Sequence, residues 1–419
     1  MTPEPTPSCG MAAFGSTPSV VIRTTDGPAF AATSMIADDS SIVIGWRTPT
    51  ALAFGPDVVG AGQRVIDAVG REFGFHVDWD ERLVGGISID TFGVPIRDED
   101  VAACQAADAV FLGACGGPKW DNVDPTIRPE QALFRLRREL GLFANIRPVT
   151  VARALAHSSP LRPELLADVD LLILRELTGG LYFGKPSEER TAADGSREAI
   201  DTMFYTEAEI RRIVRLGFEL AQARPRKKLT SVDKQNVLAT SRLWRRIVLE
   251  EQANFPDVAV DHKLVDAAAM LLIKWPGAFD VIVTENLFGD ILSDEASVLA
   301  GSLGMLPSAS IGERRTAHGL HGLYEPIHGT APDIEGRDLA NPIGTILSGA
   351  MMLRWSMGQE AAARAVEAAV EQTLEAGVRT RDLLAPGEEE RGLVRVVGTQ
   401  GMTAAILDRL ETAAAVGAG

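Results

Sequence analysis

The sequence predicts an α/β protein, because from Ser41 onward short β-branched or apolar runs alternate with stretches whose apolar residues recur at helical spacing. No internal repeat is evident, and no Gly-x-Gly-x-x-Gly opens a helix after the first strand-like run. A dinucleotide site, if present, is then not of the ordinary Rossmann kind. Strands are expected at 42–44, 109–112, 171–174, 229–232, 258–260 and 281–284. Helices are expected at 59–73, 130–140, 207–224, 241–251, 287–300, 345–357 and 360–376.

The 419 residues suffice for two or more domains, and a composition of 46% hydrophobic and 23% charged residues is that of a globular chain. A net charge of -16, with a pI near 4.9, argues against nucleic acid and anionic membrane surfaces as partners. The basic run at 224–228 is short and reads as a solvated helix end or turn. Cys9, Cys104 and Cys115 are too few and too irregularly spaced for a disulfide framework or a Cys-x-x-Cys zinc site, which fits a reducing, cytoplasmic compartment. No apolar run reaches the ~18 residues of a membrane span. Residues 1–40 lack a basic start followed by an apolar core and carry Glu4, Asp26, Asp38 and Asp39 against Arg23, so they read as a flexible extension, not a signal or transit peptide. Residues 412–419 read as a loose tail.

Several constellations carry chemistry. Asp290 and Asp294, four apart, share one face of the helix after a strand. Hard cations take such oxygen ligands and keep positions open for substrate, although a solvated acidic face has the same spacing. Glu130, Leu133, Phe134 and Arg137 fall at helical offsets 0, 3, 4 and 7, offering a carboxylate, two apolar contacts and a guanidinium on one stripe. An amphipathic helix with a capping charge explains that spacing as well. Arg147 and Arg175 end apolar runs and could join Arg137 on a dianion, or serve as structural ion pairs. Lys234, just past a strand, could act as a base, and Tyr182, in a Gly-punctuated loop, as a proton donor. The Gly/Pro/Ala-rich stretch 324–341 could hold an adenosine, with Asp333 accepting ribose hydroxyls and repelling a 2′-phosphate.

Taken in order, the runs Gly116-Gly117-Pro118-Lys119-Trp120-Asp121, Leu142-Phe143-Ala144-Asn145-Ile146-Arg147-Pro148, Ser231-Val232-Asp233-Lys234, 175–184, 286–294 and 325–333 resemble the isocitrate/isopropylmalate family of β-decarboxylating dehydrogenases. The Arg-Glu-Leu-Thr-Gly-Gly arrangement after Leu174 is similar to the isopropylmalate branch. The resemblance implies a two-domain isopropylmalate dehydrogenase-like fold with a non-Rossmann NAD site and an active site in the interdomain cleft. Residues 41–142 and 301–411 would form the cofactor-binding domain, and 143–300 the substrate, metal and dimerisation domain. The implied activity is NAD- and Mg²⁺- or Mn²⁺-dependent oxidative decarboxylation of 3-isopropylmalate to 2-oxoisocaproate, a step of leucine biosynthesis, in a homodimer with shared sites.

Residue by residue, the family's substrate arginines fall on Arg137, Arg147 and Arg175, its catalytic pair on Tyr182 and Lys234, and its metal ligands on Asp266, Asp290 and Asp294. Lys234 and Asp266, the latter also beside the substrate, would come from the neighbouring subunit. Glu130, Leu133, Phe134 and Val237 would line the substrate branch, and Asn236, Glu325, His328, Gly329, Asp333 and Asn341 the cofactor. Three departures stand out. A Gly- and acid-rich family loop is replaced by Thr50-Ala51-Leu52-Ala53-Phe54-Gly55-Pro56-Asp57, Phe134 stands where Leu is usual, and Gln235 replaces a usual Ala. They motivate two rival readings: a paralogue acting on another 3-substituted malate, and a non-catalytic homologous subunit.

Overall fold

A computed structural model describes residues 18–22, 57–331, 334 and 336–417. The expected strand at 42–44 and the altered loop from Thr50 to Pro56 lie outside the described residues. The longer strands are β1 (Pro18–Ile22), β2 (Trp79–Leu83), β3 (Ala109–Phe111), β4 (Ala144–Thr150), β5 (Asp170–Glu176), β6 (Ser187–Thr191), β7 (Arg197–Asp201), β8 (Lys228–Asp233), β9 (Ala259–Leu264), β10 (Val281–Thr284), β11 (Pro307–Arg315) and β12 (Leu320–Pro326). The longer helices are α1 (Asp57–Phe73), α2 (Gly86–Phe92), α3 (Asp98–Ala106), α4 (Glu130–Glu139), α5 (Glu207–Ala223), α6 (Ala239–Gln252), α7 (Val265–Lys274), α8 (Asn286–Ser297), α9 (Ile343–Trp355), α10 (Glu360–Glu375) and α11 (Thr399–Gly417).

One sheet of ten strands runs through the described residues in the order β2-β1-β3-β12-β11-β4-β5-β10-β8-β9, while β6 and β7 form a separate hairpin. The inner strands β5 and β10 read as nearly continuous apolar runs because helices cover both their faces. Period-2 alternation divides them cleanly. Leu174, Val283 and Leu229 belong to the cluster that holds Ile213, Val214 and Phe218 of α5, whereas Ile173 and Ile282 pack with Leu272 of α7 and Leu292 of α8. Residues 175 and 176 inherit this alternation, so Arg175 turns toward α8 and Glu176 toward α5.

The helix ends follow their chemistry. Thr206 and Glu209 close a capping box at the start of α5, and Glu285 accepts from the Leu287 and Phe288 amides at the start of α8. At the two ends of the chain the structure differs from the sequence reading: Pro18–Ile22, assigned there to the extension, pairs antiparallel with β2 and β3, and α11 continues through Gly417 into the expected loose tail.

Candidate active site

β5, β10, β8 and β9 are parallel, with Thr284 opposite both Arg175 and Val232, and Asp233 opposite Leu264. Their carboxyl ends therefore share one edge, the place where α/β sheets present functional loops. β4 runs antiparallel beside β5 and sets Asn145 opposite Arg175 and Arg147 opposite Ile173, which puts Asn145, Arg147 and Arg175 on the α8 side.

α8 brings Asp290 and Asp294 to this edge. Arg175 is only 3% exposed, and its guanidinium donates from Nη1 to Asp290 and from Nε and Nη2 to Asn286 Oδ1 at 3.0 and 2.8 Å. Arg147 donates to Asn145 Oδ1 at 2.7 Å, Ser293 Oγ at 2.5 Å and Asp294 Oδ1 at 3.2 Å, and lies 3.8 Å from Asp290 Oδ1. Burial first, and then the charge of Arg175, pulls the Arg147 pKa down to about 10, so it remains a cation at neutral pH. Arg137 is the third member, because its charge acts on both of the others. It is buried in the last turn of α4 and donates from Nη2 to Glu325 Oε1 at 3.1 Å, and its buried Nε has no partner among the described residues. Three guanidiniums with exchangeable donors, near enough to feel one another's charge, suit a dianion.

Tyr182 donates its phenol to Asp290 Oδ2, and the Arg175 guanidinium sits 5.2 Å from its ring centre. Burial and the Asp290 carboxylate both raise the Tyr182 pKa, so the phenol keeps its proton. Phe134 touches this group edge-on, with ring centres 6.5 Å from Tyr182 and 6.1 Å from Phe183. Glu130 projects beside Gly116, and burial together with the Glu325 and Glu130 carboxylates pushes the Cys115 thiol up to about 12. Leu133 is half-buried one turn away.

Lys234 and Asp266 are not in this cluster. Lys234 donates from Nζ to Asp266 Oδ1 at 2.5 Å, and that bond holds the Asp266 carboxyl below its ordinary value. The strand spacing explains the separation, since β9, which leads into Asp266, lies three strands from β5, roughly 14 Å at ~4.8 Å per strand. No group of three His, Cys, Asp or Glu side chains among the described residues is placed to hold one metal ion. Asp290 and Asp294, one turn apart on α8, would supply two oxygen ligands to a hard cation if Asp290 exchanged its bonds with Arg175 and Tyr182; the Asp294 side chain is 66% exposed. Asn236 and Val237 are exposed beside Lys234.

The expected cofactor residues fare unequally. Glu325 is buried on Arg137, while His328 Nδ1 faces the Gly329 carbonyl at 3.1 Å and its buried Nε2 has no partner among the described residues. Burial lowers the His328 pKa, which keeps the ring neutral. Gly329 is exposed. Asn341 has structural partners: its Oδ1 accepts from the Ile343 amide at the start of α9, and its Nδ2 donates to Asp382 at 2.9 Å. Asp333 lies outside the described residues. The sequence reading missed Asn145, Asn286 and Ser293, which aim the arginines. They are neutral residues inside the matched runs, and only their position, with no charge pattern, could have marked them.

A family-wide profile described as isocitrate/isopropylmalate dehydrogenase matches residues 50–406. The chain belongs to the isocitrate/isopropylmalate dehydrogenase family. It is 55% identical over 335 residues to the 3-isopropylmalate dehydrogenase of Bacillus licheniformis, covering 80% of this chain and 89% of that one. It is 57% identical over 330 residues to the 3-isopropylmalate dehydrogenase of Anaeromyxobacter dehalogenans, covering 78% and 91%. Among solved structures, isocitrate dehydrogenase from Methylococcus capsulatus superimposes with a TM-score of 0.72 at 34% identity, covering 85% of this chain and 96% of that one. A β-decarboxylating dehydrogenase from Thermococcus kodakarensis superimposes with a TM-score of 0.63 at 32% identity, covering 83% of this chain and 92% of that one.

Proposed function

We propose that this chain catalyses the NAD-dependent oxidative decarboxylation of 3-isopropylmalate to 2-oxoisocaproate in leucine biosynthesis. The observation that carries the reading is the gathering of Arg137, Arg147 and Arg175 with Asp290, Asp294 and Tyr182 at one sheet edge. The identity to relatives named 3-isopropylmalate dehydrogenase supports the choice of substrate.

The three guanidiniums grip the two carboxylates, and Glu130, Leu133 and Phe134 meet the branch together with Val237. Lys234 takes the C2 hydroxyl proton as hydride leaves that carbon, and Tyr182 returns a proton to C3 once carbon dioxide has departed. Asp290, Asp294 and Asp266 would hold Mg²⁺ or Mn²⁺, which supplies Lewis-acid charge to the substrate oxygens. Asn236, Glu325, His328, Gly329, Asp333 and Asn341 would hold NAD, the hydride acceptor.

Lys234 and Asp266 act on the site of a second copy in a homodimer. Support comes from their separation from Asp290 within one chain and from exposed apolar side chains around them: Val237, and Met270 and Trp275, each 66% exposed. A two-domain division belongs to the same reading: one apolar cluster is drawn from residues 84–142 and 323 and another from 149–299, while the largest cluster spans both parts. A cytoplasmic site of action without a nucleic acid or membrane partner is part of the same reading; Cys104 and Cys115 are unbridged, and no described helix is long and apolar enough to cross a membrane. The test is NADH formation from 3-isopropylmalate with and without chelator. Chelation and Lys234→Met should each lower the rate by about 10³ or more while leaving the far-ultraviolet dichroism intact. A chelator-insensitive rate, or a fully active Lys234→Met enzyme, would refute this mechanism.

A further inference from the structure

On the face of the sheet away from the Asp290 cluster lies a groove of about 480 Å³ between α5 and the β11–β12 hairpin. Arg211, Arg212 and Arg215 line it from α5 and Arg315 lines it from β11, against only Glu219 and Glu313 of opposite sign. Two of these guanidiniums are already committed. Arg211 and Arg215 both grip the buried Glu251, and Arg211 also holds Glu207 and Glu250. The other two have donors to spare. The Arg315 guanidinium makes no hydrogen bond or ion pair among the described residues, and the buried Nε of Arg212 has no partner among them.

Arg212 also reaches the site loop. From over the Phe143 ring, 4.7 Å from its centre, it donates to Thr178 Oγ1 at 2.5 Å and lies 3.7 Å from Glu176. Glu176 is fully buried and ties down the start of that loop, accepting from the Thr178 amide at 2.9 Å and the Gly179 amide at 2.8 Å. Its neighbour Arg175 points to the opposite face, and the same loop leads to Tyr182. A groove ligand that engaged Arg212 would compete with Thr178 and Glu176 for its guanidinium, and so disturb the brace behind both Arg175 and Tyr182.

We propose that this groove is a regulatory site for a phosphate-type dianion, held by Arg315 and Arg212, whose binding slows turnover by loosening the 176–182 loop. Two guanidiniums with spare N–H donors match a tetrahedral dianion in charge and in hydrogen-bonding capacity. The coupling to turnover rests on the activity proposed above, but the binding does not. Arg212 is thus a positioning residue, acting on Tyr182 through Thr178 and Glu176.

The test titrates the full-length protein with inorganic phosphate, and in parallel with glycerol 3-phosphate, by calorimetry at constant ionic strength. Wild type is compared with Arg315→Ala. Binding should weaken at least about tenfold in the variant, the scale of one lost charge-assisted contact. The stronger of the two probes identifies whether free phosphate or a phosphomonoester is the better ligand. In steady-state assays phosphate should lower kcat without raising KM for the diacid, and Arg315→Ala, referred to its own phosphate-free rate, should lose that sensitivity. Equal binding by both proteins would overturn the proposal. So would inhibition purely competitive with the diacid, which would place phosphate on Arg137, Arg147 and Arg175. If no turnover of 3-isopropylmalate is found, the substrate assignment falls, and calorimetry still decides the groove.

Discussion

The Arg175–Asp290 cluster and the Lys234–Asp266 pair lie on one sheet edge and differ in how they are supported. Arg175 is buried, with Asn286 and Asp290 fixing all of its donor groups, and Arg147 is held by Asn145, Ser293 and Asp294. Among the described residues the Lys234 side chain bonds only Asp266, itself exposed, beside exposed apolar side chains. One half of the constellation is finished inside the chain. The other is presented outward, as expected of residues that complete a neighbour's site.

The largest difference should appear in stability. Asp290→Asn leaves Arg175 buried with its ion pair broken, and should cost about 3 kcal/mol, near the low end for a buried pair because Asp290 itself is one-third exposed. Asp266→Asn should cost far less, since an exposed pair is screened by water. Urea midpoints of the two variants check this, and equal losses would erase the distinction.

A smaller effect concerns specificity. Phe134 lies edge-on to Tyr182 and Phe183, so Phe134→Leu removes bulk beside Tyr182. Its kcat/KM ratio between malates differing by one methylene in the 3-substituent should shift by about tenfold. No shift would place the ring outside the substrate pocket.

The smallest effect is a pH dependence. Lys234 lowers the Asp266 pKa from its ordinary 3.8, so the pair's contribution to stability is present above that pH and is lost as pH falls through the lower folded value. Wild type and Asp266→Asn should therefore keep a constant difference in urea midpoint down to pH 4 and converge only below it. The absence of any difference at neutral pH would mean that the two side chains do not interact in solution.

Much of this contrast was legible in the sequence. β10 at Val281–Thr284 was read to the residue, and β5, α4 and α8 nearly so, because buried apolar runs and helical stripes leave strong periodic signals. β4, β11 and β12 were missed. Their segments ANIRPVT, PSASIGERR and LHGLYEP mix Pro, Gly and charge, and they are strands only because their neighbours in the sheet pair with them. α7 was missed because the run VDAAAMLLIK lacks a clear polar stripe. The arginine trio, Tyr182 and the two aspartates of α8 could be named from residue type and resemblance, but their mutual bonds could not. Nothing in the sequence showed that Asp290 already holds Arg175 and Tyr182, or that Asn341 is engaged with Ile343 and Asp382.

Subunit mixing bears most directly on the division between the two regions. Lys234→Met and Tyr182→Phe protomers, each inactive alone, are unfolded together, refolded and assayed with 3-isopropylmalate. If each site draws Tyr182 from one copy and Lys234 from the other, half of the dimers carry one intact site of two, and activity should recover to about a quarter of wild type. Activity no greater than the sum of the separate variants would contradict a site built from two chains.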